Sequence, residues 1–166
     1  MKKAHVWLIT AFLLIPFVAI PLVEIMHLRA IAFRATADQR AITESIADSQ
    51  EAYNCIKNGR FRSALQFARE SVRICPDHSW GYVPLGVALS QLGDHREAVV
   101  QLTRTNSAEW FMSSRGIPLR NLYLGKSLLA LGDREEAKAR LEEVAHGSDP
   151  QLAAQATHIL RVARLR

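Results

Sequence analysis

Glycine recurs at positions 59, 93 and 132, and each time alanine follows five residues later, at 64, 98 and 137. The intervals between the glycines are 34 and 39 residues, so the chain repeats itself at a near-constant period with five extra residues in the second interval. A glycine just past the end of a helix supplies the left-handed residue that stops it, and a small residue early in the next helix lets the two lie close together. The period therefore predicts an all-α fold of antiparallel helical hairpins. A unit of this length cannot bury its apolar face alone and must stack on its neighbours.

The flanking residues sharpen this. The second unit reads Tyr82-x2-Leu85-Gly86-x2-Leu89, then Gly93-Asp94, then Ala98-x3-Leu102. The third reads Asn121-x2-Leu124-Gly125-x2-Leu128, Gly132-Asp133 and Ala137-x3-Leu141, without the opening aromatic. The first keeps Ala52, Gly59, Phe61, Ala64 and a closing Pro76, but has Asp48 and Glu51 where the others have apolar or neutral residues, which suits a terminal unit. On these residues the chain resembles the tetratricopeptide repeat family over residues 45–150. The resemblance implies an α-solenoid of about three hairpins, at 45–78, at 79–112 with an insertion to 117, and at 118–150. Residues 151–166, with Leu152, Ala156, Ile159, Leu160 and Ala163 on one side, read as a helix that caps the last hairpin. Pro84 is incompatible with a long run of helix before it, so that helix is expected to begin near Tyr82.

Val6 to Val23 is an 18-residue run without a charge, preceded by Lys2 and Lys3 and broken in polarity only by Thr10. As a helix it would span about 27 Å, close to the hydrocarbon thickness of a bilayer. Residues 1–25 are therefore expected to form a transmembrane signal-anchor, followed by a helical linker over 26–44, since 24–58 contain neither Pro nor Gly. The alternative is a cleaved leader, with cleavage triplets at 30–32 and 35–37, but Glu24, His27 and Arg29 separate these from the apolar run. A short lysine-led start places the amino terminus in the cytoplasm and the repeats outside, as in a bacterial inner-membrane protein facing the periplasm. Arg29, Arg34 and Arg40 on the far side nearly balance the positive charges of the near side.

The net charge of +5 does not indicate nucleic-acid binding. Residues 1–40 hold five Lys/Arg against two Asp/Glu, which leaves sixteen against fourteen for the remaining 126 residues, with no concentrated basic face.

In stacked hairpins the first helix of each lines the inner side, where partners bind. Those faces nominate Tyr53 and Ile56, then Trp80, Val83 and Val87, then Leu119, Leu122 and Lys126 as a mostly apolar groove for a protein partner. The resemblance also implies where a basic and amide clamp for a peptide carboxylate would stand; this chain has Ser49, Tyr53, Val83, Pro84 and Val87 at the comparable positions, so the expected guest is an apolar segment. The insertion over 106–118 contains Trp110, Phe111 and Met112, which either fill the groove from within or form a second docking patch.

Reactive chemistry has little to stand on. The six histidines show no HExxH spacing, Cys75-Pro76-Asp77-His78 is half a metal site without a second pair, and no phosphate-binding glycine loop, nucleophile elbow or haem attachment motif occurs. An enzyme or cofactor carrier built on Cys75 and His78 is the distant rival. Cys55 and Cys75 are expected about 15 Å apart along antiparallel helices, too far to be bridged. The sequence thus predicts a membrane-anchored, noncatalytic module without cofactor, metal or small-molecule substrate, acting as a scaffold or assembly factor. A permanent accessory subunit of a membrane complex is the alternative.

Overall fold

The computed structural model describes residue 29, residues 34–105 and residues 116–165. The apolar run at 6–23 and the cluster Trp110, Phe111 and Met112 lie outside these residues. Among the described residues no helix is long and apolar enough to cross a membrane. The chain divides into two compact units, Met1–Ala41 and Ile42–Arg166. In the first, residues 34–41 are helical.

The second unit is helical throughout its ordered elements. Helix α1 covers residues 42–57, α2 is Phe61–Ile74, a 3-10 turn spans Ser79–Gly81, and α3 is Tyr82–Leu92. Helices α4 (His95–Thr103), α5 (Gly116–Leu131), α6 (Arg134–Ala145) and α7 (Pro150–Val162) complete the order. Helix α3 does begin at Tyr82, which places Pro84 in the first turn, where its missing N–H has no intrahelical acceptor to lose.

Two kinds of glycine build the hairpins. Gly59, Gly93 and Gly132 have φ of 71°, 88° and 90°, and a side chain there would meet nothing within 4 Å, so it is backbone conformation that requires them. Gly86 and Gly125 are helical, and their role is space. A Cβ on Gly86 would stand 2.6 Å from Leu102 Cδ2 and closer still to its Cγ; on Gly125 it would stand 2.7 Å from Leu141 Cγ. Each therefore admits the buried leucine of its partner helix into the crossing of the hairpin.

Packing proceeds hairpin by hairpin: α3 against α4 and α5 against α6 within hairpins, then α2 on α3, α4 on α5 and α6 on α7 between them. Ala52 of α1 joins Ala68, Leu85, Leu89 and Ala98 in one apolar cluster, and Cys55 joins Ala64 and Ala88 in another. Both cysteines are free and buried. The largest cluster runs from Val83 and Val87 through Leu102, Leu122 and Leu141 to Ala156 and Leu165. Leu152, Ile159, Leu160 and Ala163 of α7 pack on it, so α7 covers the third hairpin with the face predicted for it. Its first turn is capped by Asp149 Oδ1, which accepts from the N–H groups of Gln151 (3.0 Å) and Leu152 (3.2 Å). At its far end Arg134 Nη2 donates to the Ala163 carbonyl at 2.7 Å.

Candidate functional site

Helices α3 and α5 open successive hairpins, α7 follows as the covering helix, and α5 rests on both of the others. Polar links set the α3–α5 spacing: Gln91 Nε2 donates to Tyr123 Oη at 2.9 Å, and Ser127 Oγ donates to Ser90 Oγ at 2.9 Å within the core. Small residues bring the helices close enough for these bonds. The same closeness overturns part of the predicted groove. Val83, Val87 and Leu122 have no exposed surface and stand in the largest apolar cluster, so they serve packing and do not line an open surface.

Trp80 also has a structural task. Its Nε1–H donates to Ser45 Oγ at 2.9 Å, its carbonyl accepts from Ser49 Oγ at 2.8 Å, and its ring stacks on His78 with centroids 4.4 Å apart. Ser45 Oγ in turn donates to the Ser71 carbonyl at 2.9 Å, while Ser71 Oγ donates to the Ser45 carbonyl at 2.8 Å. This network fastens the 3-10 turn to α1 and α2. Tyr53, Ile56 and Leu119 are half-buried against the largest cluster, and burial pushes the Tyr53 phenol above its usual range. Arg120 donates through Nη1 to Thr105 Oγ1 (3.3 Å) and through Nε to Asn121 Oδ1 (3.0 Å). Burial, then the neighbouring Arg140, lowers its guanidinium pKa, against an opposing pull from Glu143.

Lys126 is the predicted residue that faces open space. Together with Ala154, Gln155, His158 and Ile159 of α7 it lines a cleft of about 430 Å³, open on one side. Its Nζ lies 4.5 Å from the centroid of the Tyr123 ring, and burial lowers its pKa. Arg161 Nη2 approaches His158 Nδ1 at 3.2 Å. Sequence reasoning treated α7 as a cover and missed Gln155 and His158 as cleft residues. The available signal was the polar pair at 155 and 158, three apart on one helical face, against a lysine on the preceding first helix.

What this surface can do is hold an apolar side chain against Ala154 and Ile159 while presenting the Lys126 ammonium and the polar side chains of Gln155 and His158. Among the described residues no three His, Cys, Asp or Glu side chains gather in a way that could hold a metal.

Hairpins stacked through their second helices, with Gly86 and Gly125 at equivalent crossings, define an α-solenoid. The sequence model of the tetratricopeptide repeat family matches residues 79–103 and 122–143. The first stretch is the 3-10 turn with α3 and α4, and the second is most of α5 and α6. The match supports a tetratricopeptide repeat protein, and repeats of this family are protein–protein interaction modules. No curated protein and no solved structure matches the chain.

Proposed function

We propose that the chain is a noncatalytic scaffold or assembly factor, tethered by residues 6–23 to a membrane and presenting its repeats to a partner protein of a membrane or envelope complex. The observation that carries this is the stack of repeat hairpins ending in an open, apolar-walled cleft between α5 and α7. Such a surface suits binding a chain segment, as grooves between helices do. The anchor reading draws its support from the uncharged 18-residue run. The bacterial inner membrane, with the repeats in the periplasm, is the location that fits its lysine-led start.

Two measurements test the proposal. Resistance of the full-length protein to alkaline extraction from membranes is expected, and its release into the soluble fraction would refute the tether. Affinity capture of the full-length protein in gentle detergent, followed by mass spectrometry, should enrich a partner over an unrelated single-pass protein. A substoichiometric partner supports the assembly role, a stoichiometric complex supports a permanent accessory subunit instead, and no enrichment refutes both.

A further inference from the structure

Lys126 is a half-buried cation with no ion-pair partner among the described residues. The ion pairs among the described residues engage Arg60, Arg73, Lys138 and Arg140, and none engages Lys126. Its surroundings are the Tyr123 ring and the side chains of Ala154, Gln155, His158 and Ile159. Burial depresses its pKa, and no acidic neighbour acts in the opposite direction. Withdrawing an ammonium from water is unfavourable unless a partner compensates, and the ring face at 4.5 Å compensates in part. The cleft beside it is thus electrostatically unfilled.

We infer that the cleft between α5 and α7 is a docking site for an apolar segment of a partner protein carrying an aspartate or glutamate side chain, whose carboxylate Lys126 receives. This rests on the reading of the chain as a protein-binding module. The dimensions and charge select this guest. The α7 wall runs from Ala154 to Ile159, about 8 Å of helix, which matches one or two turns of a segment passing through an open cleft. Lys126 is the one Lys or Arg side chain lining the cleft, and its single charge matches one carboxylate. Gln155 and His158 line the cleft beside it as polar partners for the guest's polar atoms. Helix α7 accordingly has two uses, covering the third hairpin and walling the site, and Ile159 takes part in both.

The test is selection of random 12-residue peptides displayed on phage against the full-length protein and against its Lys126→Met variant. Wild-type winners are expected to be apolar with a shared acidic position, and the variant should lose that acidic preference. Replacing the acid in one synthesised winner by its amide should weaken binding to wild type roughly tenfold, the scale of a charged hydrogen bond. The same change should have no effect on binding to Lys126→Met, and the loss should return in Lys126→Arg. Winners without an acidic preference, or an acidic preference that survives Lys126→Met, overturn this inference while leaving the protein-binding reading in place. A cleft occupied by a second copy, seen as a dimer that Lys126→Met dissociates, also overturns it. Failure to select any peptide counts against the protein-binding reading and the inference together.

Discussion

Replacing Gly86 with alanine adds one methyl group to a helix that intrinsic propensity would favour by about 1 kcal/mol. The structure reverses that expectation. The new carbon would stand 2.6 Å from Leu102 Cδ2 and 3.3 Å from the Ala98 carbonyl oxygen, whereas carbon atoms rest about 3.5–4.0 Å apart. Leu102 is completely buried in the largest apolar cluster, so its displacement must be taken up by packed neighbours. Relief needs a shift of about 1 Å between α3 and α4, at the upper end of the 1–3 kcal/mol range for overpacking, about 2–3 kcal/mol. After the propensity gain, Gly86→Ala should destabilise the fold by about 1–2 kcal/mol. In a Leu102→Ala background the obstacle is gone, and the same substitution should stabilise by up to about 1 kcal/mol. Equilibrium urea unfolding of the four proteins, followed by helical circular dichroism, closes the double-mutant cycle. The reasoning fails if Gly86→Ala stabilises the wild type, or if its effect is the same in both backgrounds. Gly125→Ala should follow the same sign with a smaller magnitude, because the corresponding approach to Leu141 Cγ is 2.7 Å and to its Cδ2 3.1 Å.

Gly93→Ala should destabilise by about 1–2 kcal/mol for a different reason, the positive φ, and Gly93→Asn by less; equal losses in urea unfolding would contradict this. Asp149→Ala should weaken α7 by about 1 kcal/mol through loss of its cap, read as faster amide exchange in α7 than in α5; unchanged exchange in α7 would contradict the cap's contribution. Burial first, then Glu70 and Glu44, raises the Asp48 pKa above 3.8. The folded state therefore holds this proton more tightly than the unfolded state, and the contribution to stability, largest on the acid side, falls as pH rises through the raised value. The difference in urea midpoint between Asp48→Asn and wild type should accordingly shift in favour of the variant between pH 4 and pH 7, and a pH-independent difference would refute the assignment.

The hairpins were legible because their markers are enforced by local geometry. Gly59, Gly93 and Gly132 sit where φ is positive, and Gly86 and Gly125 where a side chain cannot fit, so the requirement is written in single residues. The helix break at Pro84 was legible on the same ground. The site was less so. Residues Tyr82 to Ser90 of α3 are all buried, so its apolar pattern carries no direction and cannot separate a face on a groove from a face on α5. Val83 and Val87 were misassigned for that reason, and so was Leu122 of α5, where Asn121 to Gly125 are all buried. Trp80 looked like an aromatic anchor for a guest, yet its partners at Ser45 and Ser49 come from a helix about 30 residues earlier, a relation no local pattern encodes. Lys126 stood out as the charge on an inner face, but the opposing wall became visible only with α7 in place.

Helix α7 is packed on the third hairpin through Leu152, Ile159, Leu160 and Ala163 and tied at its tail by the bond from Arg134 to the Ala163 carbonyl. A wall already packed and tied would not have to close on the proposed guest, so the entropy lost on capture would fall on the incoming chain and hardly on the receptor. Partners that differ in fit should then arrive at similar speeds and be sorted by how long they stay.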